Sequence, residues 1–389
     1  MIAYVTTQGS RIEKDGRRLI VRSERGAEPL FVSVLEQLIL VGNVAMTAPA
    51  RRLLLKEGID TVFMQKNGRY LGRMHTKDPA NVLLRKRQFL LTDDSDFRMR
   101  VAKRMVLGKI GNQATVISRI KRSKGSEEAG KVAAELQRLA RLIDAAPDPA
   151  ALRGIEGRAA AVYFDGFRLG LQADWGFTRR IRRPPPDPVN VVLSFLYTLL
   201  ASRCVAALRV AGLDPQPGIL HEISYGRDSL ALDLMEEFRP MLADTLTLAL
   251  FNKNVLTADD FIVPDAEAPQ GGSATEDGRI RDALDDPLGQ MTAEPAPYDE
   301  DDGIGDDIWT GDDEGAENTF PEEPRRPLYL SQQGAKSLLT AWSKKLETAF
   351  FHPVTRKQTD YAEAIVWQAR LLRKVVEGQA EDYAPLMLR

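Results

Sequence analysis

One cysteine, Cys204, and three histidines, His75, His221 and His352, are the only thiol and imidazole donors in 389 residues. A single cysteine makes no internal disulfide, and no Cys/His zinc spacing exists. Cys204 lies in the apolar stretch Val191–Val210, a core setting that argues against a reactive thiolate. A Walker-type phosphate loop and a nucleophile elbow are also missing. The glycines Gly166 and Gly170 lack the strand–turn–helix context of a dinucleotide site. No run of about 18 apolar residues occurs, so no transmembrane helix is expected. Met1–Ser10 lacks the basic and then apolar pattern of a signal peptide. The expected compartment is the cytoplasm.

What is present is charge, unevenly placed. Asp265–Glu323 holds 20 acidic and two basic residues, a net of −18. The remainder carries 51 basic and 35 acidic residues, a net of +16, which the overall −2 conceals. A body that basic suits a polyanion. The acidic segment is too poor in core formers to offset its ordering entropy, so 264–325 reads as a disordered insertion.

Before it, the pattern changes once. The first ~75 residues are rich in short β-forming runs, Ile2–Thr7, Arg18–Ser23, Glu36–Val41 and Thr61–Gln65, with one helix over Thr47–Glu57. From about Asn81 the periodicity is helical: Phe97–Arg122, a helix opened by Ser126, Asp148–Leu171, Val189–Val210, and Ser229–Leu250 with a kink at Pro240. Gln332–Phe351 and Thr359–Glu377 complete the helices. The expected class is α+β: a small β-sandwich-like domain over 1–80, then a larger all-α domain over 81–389.

Two stretches carry candidate chemistry. His221 sits at the edge of a Gly/Pro-rich turn, and Ser229 is placed to cap the helix that follows. On that helix Asp233, Glu236 and Glu237 fall at i, i+3 and i+4 and can share one face. Clustered carboxylates repel, and a hard divalent ion relieves that cost; an imidazole beside them shifts preference from Mg²⁺ towards Mn²⁺. Glu156, flanked by Gly154 and Gly157, is the second candidate. By spacing alone, the first stretch also reads as a solvated acidic face and the second as the rim of a close helix–helix contact. Basic clusters recur nearby: Lys109, Arg119 and Arg122, then Arg179, Arg180, Arg182 and Arg183. Such clusters neutralise phosphates without reading sequence.

Taken in order, these pieces resemble the Cas-one family, the CRISPR-associated integrase and endonuclease of spacer acquisition. The resemblance spans nearly the whole chain. It is carried by the opening Tyr4–Gly9, by Lys109 with Asn112 and Gln113, by Gly154–Gly157, and by Asp187–Asn190 with Leu193, Ser194 and Tyr197. Leu220–Glu222, Ser229–Glu236 and Gln368–Arg370 complete it. The acidic insertion is the departure from the family pattern.

The resemblance implies an N-terminal domain used in dimerisation and partner contact, and a helical catalytic domain. It implies a Mg²⁺ or Mn²⁺ site on Glu156, His221 and Glu236, with Asp233 assisting. It implies a homodimer joined to a small dimeric Cas-two subunit, inserting double-stranded DNA with 3′ ends into CRISPR repeat DNA. Asn190 and Arg239 join the basic clusters as expected DNA contacts, and Tyr163 and Tyr197 read equally as rings that stack on a base or as core aromatics. A non-catalytic scaffold for DNA ends and a stand-alone repair nuclease are the other readings.

Overall fold

Short β-forming runs open the chain: β1 (Ile2–Val5), β2 (Arg11–Asp15), β3 (Arg18–Ser23), β4 (Gly26–Phe31), β5 (Gln37–Val41) and β6 (Ala45–Met46). Helix α1 (Ala48–Lys56) and strands β7 (Asp60–Met64) and β8 (Tyr70–Met74) follow. The computed structural model describes residues 1–75, 81–181, 185–263 and 328–387. The expected disordered insertion at 264–325, with Arg182 and Arg183, lies outside the described residues.

The strands form two four-stranded sheets. One has the order β1-β5-β7-β8, parallel except for β8; the other has the order β4-β3-β2-β6. Sequence periodicity alone did not expose β2, β4 or β8. β4 contains Pro29, which is tolerated because β4 is an edge strand.

β5 is buried along its whole length, as a central parallel strand covered on both faces should be. Its alternate residues serve different cores. Leu38 and Leu40 pack with Ile12, Leu19, Leu53 and Leu54 between the two sheets and α1. Ile39 and Val41, with Val62 and Met64 of β7, belong to the large core of the helical region. One sheet therefore closes two cores.

The helical region comprises α2 (Val82–Thr92), α3 (Ser95–Lys124), α4 (Glu127–Leu142), α5 (Pro149–Arg168), α6 (Pro188–Ala211), α7 (Ser229–Met235) and α8 (Thr245–Asn252). It is not all-helical as expected. β9 (Phe261–Ile262) pairs with β10 (Tyr329–Leu330); α9 (Gln332–Leu346) follows, then the ribbon of β11 (Ala349–Phe351) and β12 (Gln358–Asp360), then α10 (Tyr361–Glu377).

The helix ends follow local chemistry. Asp148 and Asp187 cap α5 and α6 through their carboxylates, each with proline next. Ser126 caps α4 as expected. Ser229 does not cap α7: Asp228 occupies the cap position, and the Ser229 hydroxyl donates to the Glu222 carbonyl at 2.8 Å. The expected break at Pro240 is a π-helical turn, Arg239–Asp244, because proline has no N–H for an α-helical bond.

Averaged over its length, α6 is apolar enough to cross a membrane, although Asn190, Ser194, Thr198 and Arg203 interrupt any continuous run. Of its most apolar window, 94% is buried inside the fold, so it is a core helix.

Gly166 of α5 marks where α3, α4 and α5 are tightest. A Cβ there would lie 2.7 Å from a Val132 methyl and 2.9 Å from an Ile117 methyl. Gly166→Val is expected to destabilise the protein by about 1–3 kcal/mol through overpacking. Thermal unfolding checks this, and an unchanged midpoint would show that the helices yield freely.

Candidate active site

Four elements deliver charged side chains to one buried place. Lys109 comes from the middle of α3, on the stripe that also buries Met105, Asn112 and Val116. Glu156 comes from α5, His221 from the loop after α6, and Glu236 from the residue that ends α7. The Lys109 ammonium lies 2.5 Å from Glu156 Oε1 and 2.8 Å from Glu236 Oε2. His221 Nε2 is 3.9 Å from Glu236 Oε1, and Arg239 Nη2 is 3.2 Å from the same oxygen. All five side chains are buried.

Charge balance sets the protonation of Glu236 and Lys109. Burial opposes ionisation of Glu236, but Arg239 and then Lys109 outweigh it and hold the carboxyl well below the usual range. Burial likewise opposes the charge on Lys109, yet Glu156 and Glu236 hold its pKa above the ordinary value. Neither oxygen of Glu236 receives a well-directed hydrogen bond despite complete burial. Its charge is met by the Lys109 ammonium at 2.8 Å and the Arg239 guanidinium at 3.2 Å.

The histidine is positioned by Asp233. This carboxylate accepts backbone N–H bonds from Ile219 (2.5 Å), Leu220 (3.0 Å) and His221 (2.9 Å), and meets His221 Nδ1 at 2.6 Å. A carboxylate that accepts from Nδ1 fixes the ring so that Nε2 faces Glu236. Gly218 makes the turn feasible: a Cβ there would come within 2.5 Å of the His221 carbonyl oxygen.

The three acids of this helix therefore do not share one face and one task, as their spacing allowed. Asp233 turns to the loop and holds its backbone and the His221 ring. Glu237 points the opposite way. It accepts from Gln368 (2.8 Å), the Tyr383 hydroxyl (2.7 Å) and the Leu386 N–H (2.8 Å), tying the C-terminal tail beneath α7. Burial outweighs these bonds and raises its pKa to about 7.

Several residues expected to touch DNA are built into the interior instead. Tyr163 and Tyr197 are buried, and each donates its hydroxyl to Asp244 at 2.7 Å, so neither ring is available to stack on a base. Burial raises the Asp244 carboxyl to about 6. Arg180 donates to Asn190 and Ser194, both at 2.8 Å, while Asn190 also donates to Asp187. Arg180 and Arg239 both lie over the Tyr197 ring. Lys109, Asn190 and Arg239 are buried. Arg119, Arg122 and Arg179 are the expected contacts that face solvent.

Sequence reasoning missed Lys109 as the hub of the site, and missed Asp244 and Glu237 as network centres. For Lys109 a signal existed: a lysine on the apolar stripe of a helix is buried only with a partner.

The comparisons bear on this geometry. The family profile described as CRISPR associated protein Cas1 matches residues 3–280. The chain belongs to the Cas1 family. A relative from Thermus thermophilus, named CRISPR-associated endonuclease Cas1 3, is 32% identical over 391 residues, covering 100% of this chain and 97% of its own. A second from Rhodospirillum rubrum, CRISPR-associated endonuclease Cas1 2, is 38% identical over 272 residues, covering 66% of this chain and 78% of its own. The fold is that of a Cas1 protein from Thermotoga maritima, with TM-score 0.71, 19% identity and 97% of each chain covered. It is also that of a casposase bound to integration product, with TM-score 0.76, 18% identity, and 100% of this chain and 94% of the other covered.

Glu237 gives a pH prediction with a definite sign. Its folded pKa is raised from 4.5 to about 7, so its stabilising contribution is complete below 4.5 and is lost as pH rises through 7. Urea unfolding of the wild type should show a loss on the order of 3 kcal/mol from this group between pH 5 and 8. Glu237→Gln should flatten that part of the profile; an unaltered profile would assign the dependence elsewhere.

Proposed function

We propose that this chain is a metal-dependent DNA endonuclease and integrase that inserts short DNA into a CRISPR repeat array. The observation that carries the proposal is convergence. Glu156, His221 and Glu236 stem from three separate elements: the two carboxylates meet at the Lys109 ammonium, and His221 Nε2 lies 3.9 Å from the second of them. The names of the curated relatives support endonuclease chemistry. The integrase reading rests on the family resemblance of the ordered motifs.

The residues fit a divalent ion by donor set: two anionic oxygen ligands, Glu156 and Glu236, and one neutral imidazole nitrogen, His221, suit Mg²⁺ or Mn²⁺. Among the described residues no such side chains already form an ion cage, because Lys109 holds the centre of the cluster. A bound ion would polarise a phosphoryl oxygen and lower the pKa of an attacking hydroxyl. Asp233 fixes the tautomer that presents Nε2. Arg239 and Lys109 keep Glu236 ionised.

The reaction is a transesterification. The 3′-oxygen of the incoming strand forms a bond to phosphorus at the repeat boundary, and the bond to the repeat's own 3′-oxygen breaks. The attacking hydroxyl loses a proton and the leaving oxygen gains one. Arg119, Arg122 and Arg179 belong to the surface that neutralises DNA phosphates. Residues 1–80 serve dimerisation and contact with a small dimeric Cas-two subunit.

Glu156→Ala and His221→Ala should abolish strand transfer with Mg²⁺ or Mn²⁺ while the fold and most DNA affinity persist, Glu156→Ala with a lowered melting temperature because Lys109 loses one of its two carboxylates. DNA affinity should fall steeply with salt. Full integration by a folded Glu156→Ala protein would sink the assignment. Lys109→Met supplies a readout besides activity. In chelator it should lose about 3–5 kcal/mol, because two buried carboxylates are left without their shared cation. Mn²⁺ should raise its melting temperature more than that of the wild type; equal shifts would separate Lys109 from the ion site.

A further inference from the structure

The chain leaves His221 through a short, exposed turn. Tyr225 at its tip is 88% exposed and Ile223 is 59% exposed, beside a site whose other members are buried. The turn is anchored at both ends. Glu222 pairs with Arg153 on α5, one helical turn before Glu156, at 2.9 Å, and its carbonyl accepts from Ser229. At the other end the Ser229 N–H donates to the Arg227 carbonyl at 2.9 Å. Within it the Arg227 N–H donates to the Ser224 carbonyl, which places Tyr225 and Gly226 in the middle of a β-turn. Gly226 has φ +71°, the positive value that a type II turn requires at its third position.

The backbone beneath the Tyr225 ring is therefore set, and ordering the side chain costs two torsions. The rings first expected to meet a base, Tyr163 and Tyr197, are locked to Asp244 in the interior. In the cluster beyond His221, Lys109 and Arg239 are already paired with Glu156 and Glu236, so it offers a phosphate little net attraction. An uncharged contact to a base face can hold a DNA end there without adding charge.

We infer that Tyr225, backed by Ile223, is a stacking platform for an unpaired nucleobase at the DNA end next to His221. The inference rests on the DNA-processing reading of the site. A π-face takes any of the four bases, so the contact selects an unpaired end, not a sequence.

A short duplex with 2-aminopurine at a frayed, mismatched end reports stacking directly by fluorescence quenching. Wild type and Tyr225→Phe should quench it, and Tyr225→Ala should not. The dissociation constant of Tyr225→Ala for the frayed duplex should weaken about 5- to 100-fold. Its affinity for a duplex closed by hairpins at both ends should match the wild type, as should its melting temperature. Absence of quenching by the wild type, full quenching by Tyr225→Ala, or an equal loss in Tyr225→Phe would overturn the inference. The readout is binding. A wild type that binds and quenches but never performs strand transfer would instead overturn the integrase reading.

Discussion

A single ammonium between two buried carboxylates organises this protein. Lys109 draws Glu156 of α5 and Glu236 of α7 to within ion-pair distance, across segments far apart in the chain. Without it, two like charges in a low-dielectric interior would push those helices apart or take up protons. Arg239 supplies the second positive charge, so the cluster of two acids and two bases closes near neutrality. The polar centre and the helix packing thus depend on the same contacts.

Around that centre each acid of one short helical stretch has its own environment. Asp233 is saturated by three backbone N–H groups and an imidazole. Glu236 is compensated by charge without well-directed hydrogen bonds. Glu237 is hydrogen-bonded but has no cation close by, and its pKa rises. The π-helical turn that follows carries Asp244 to where two tyrosine hydroxyls converge on it. Neighbouring residues of one type thus come to differ in acidity by several orders of magnitude through position alone.

Much of this was legible in the sequence, and the limits have physical causes. Long helices announced themselves by periodicity and caps, as at Ser126. Charged edge strands such as β2, with Arg11, Glu13, Lys14 and Asp15, carry almost no apolar alternation and stayed hidden. Glu156, His221 and Glu236 stood out only through the order of the motifs around them, since convergence in space leaves no local trace. The tyrosines and Asn190 misled because residues able to contact a nucleic acid are equally good at satisfying a buried carboxylate or arginine. The direction of a side chain is settled by partners that lie ten to 150 positions away, as with Glu237 and Leu386, 149 residues apart.

The small ribbon of β9 and β10 has a consequence for how such a chain can change length. Ile262 pairs with Tyr329 and Phe261 with Leu330, so the two strand ends that flank the intervening sequence lie one strand spacing apart, about 5 Å. Whatever joins them starts and ends at a closed gate. Because closure entropy grows only with the logarithm of loop length, this doorway accepts sequence of almost any size at little cost to the framework. It is a natural grafting point, where evolution can append a module, or a laboratory a reporter, without disturbing the charged centre.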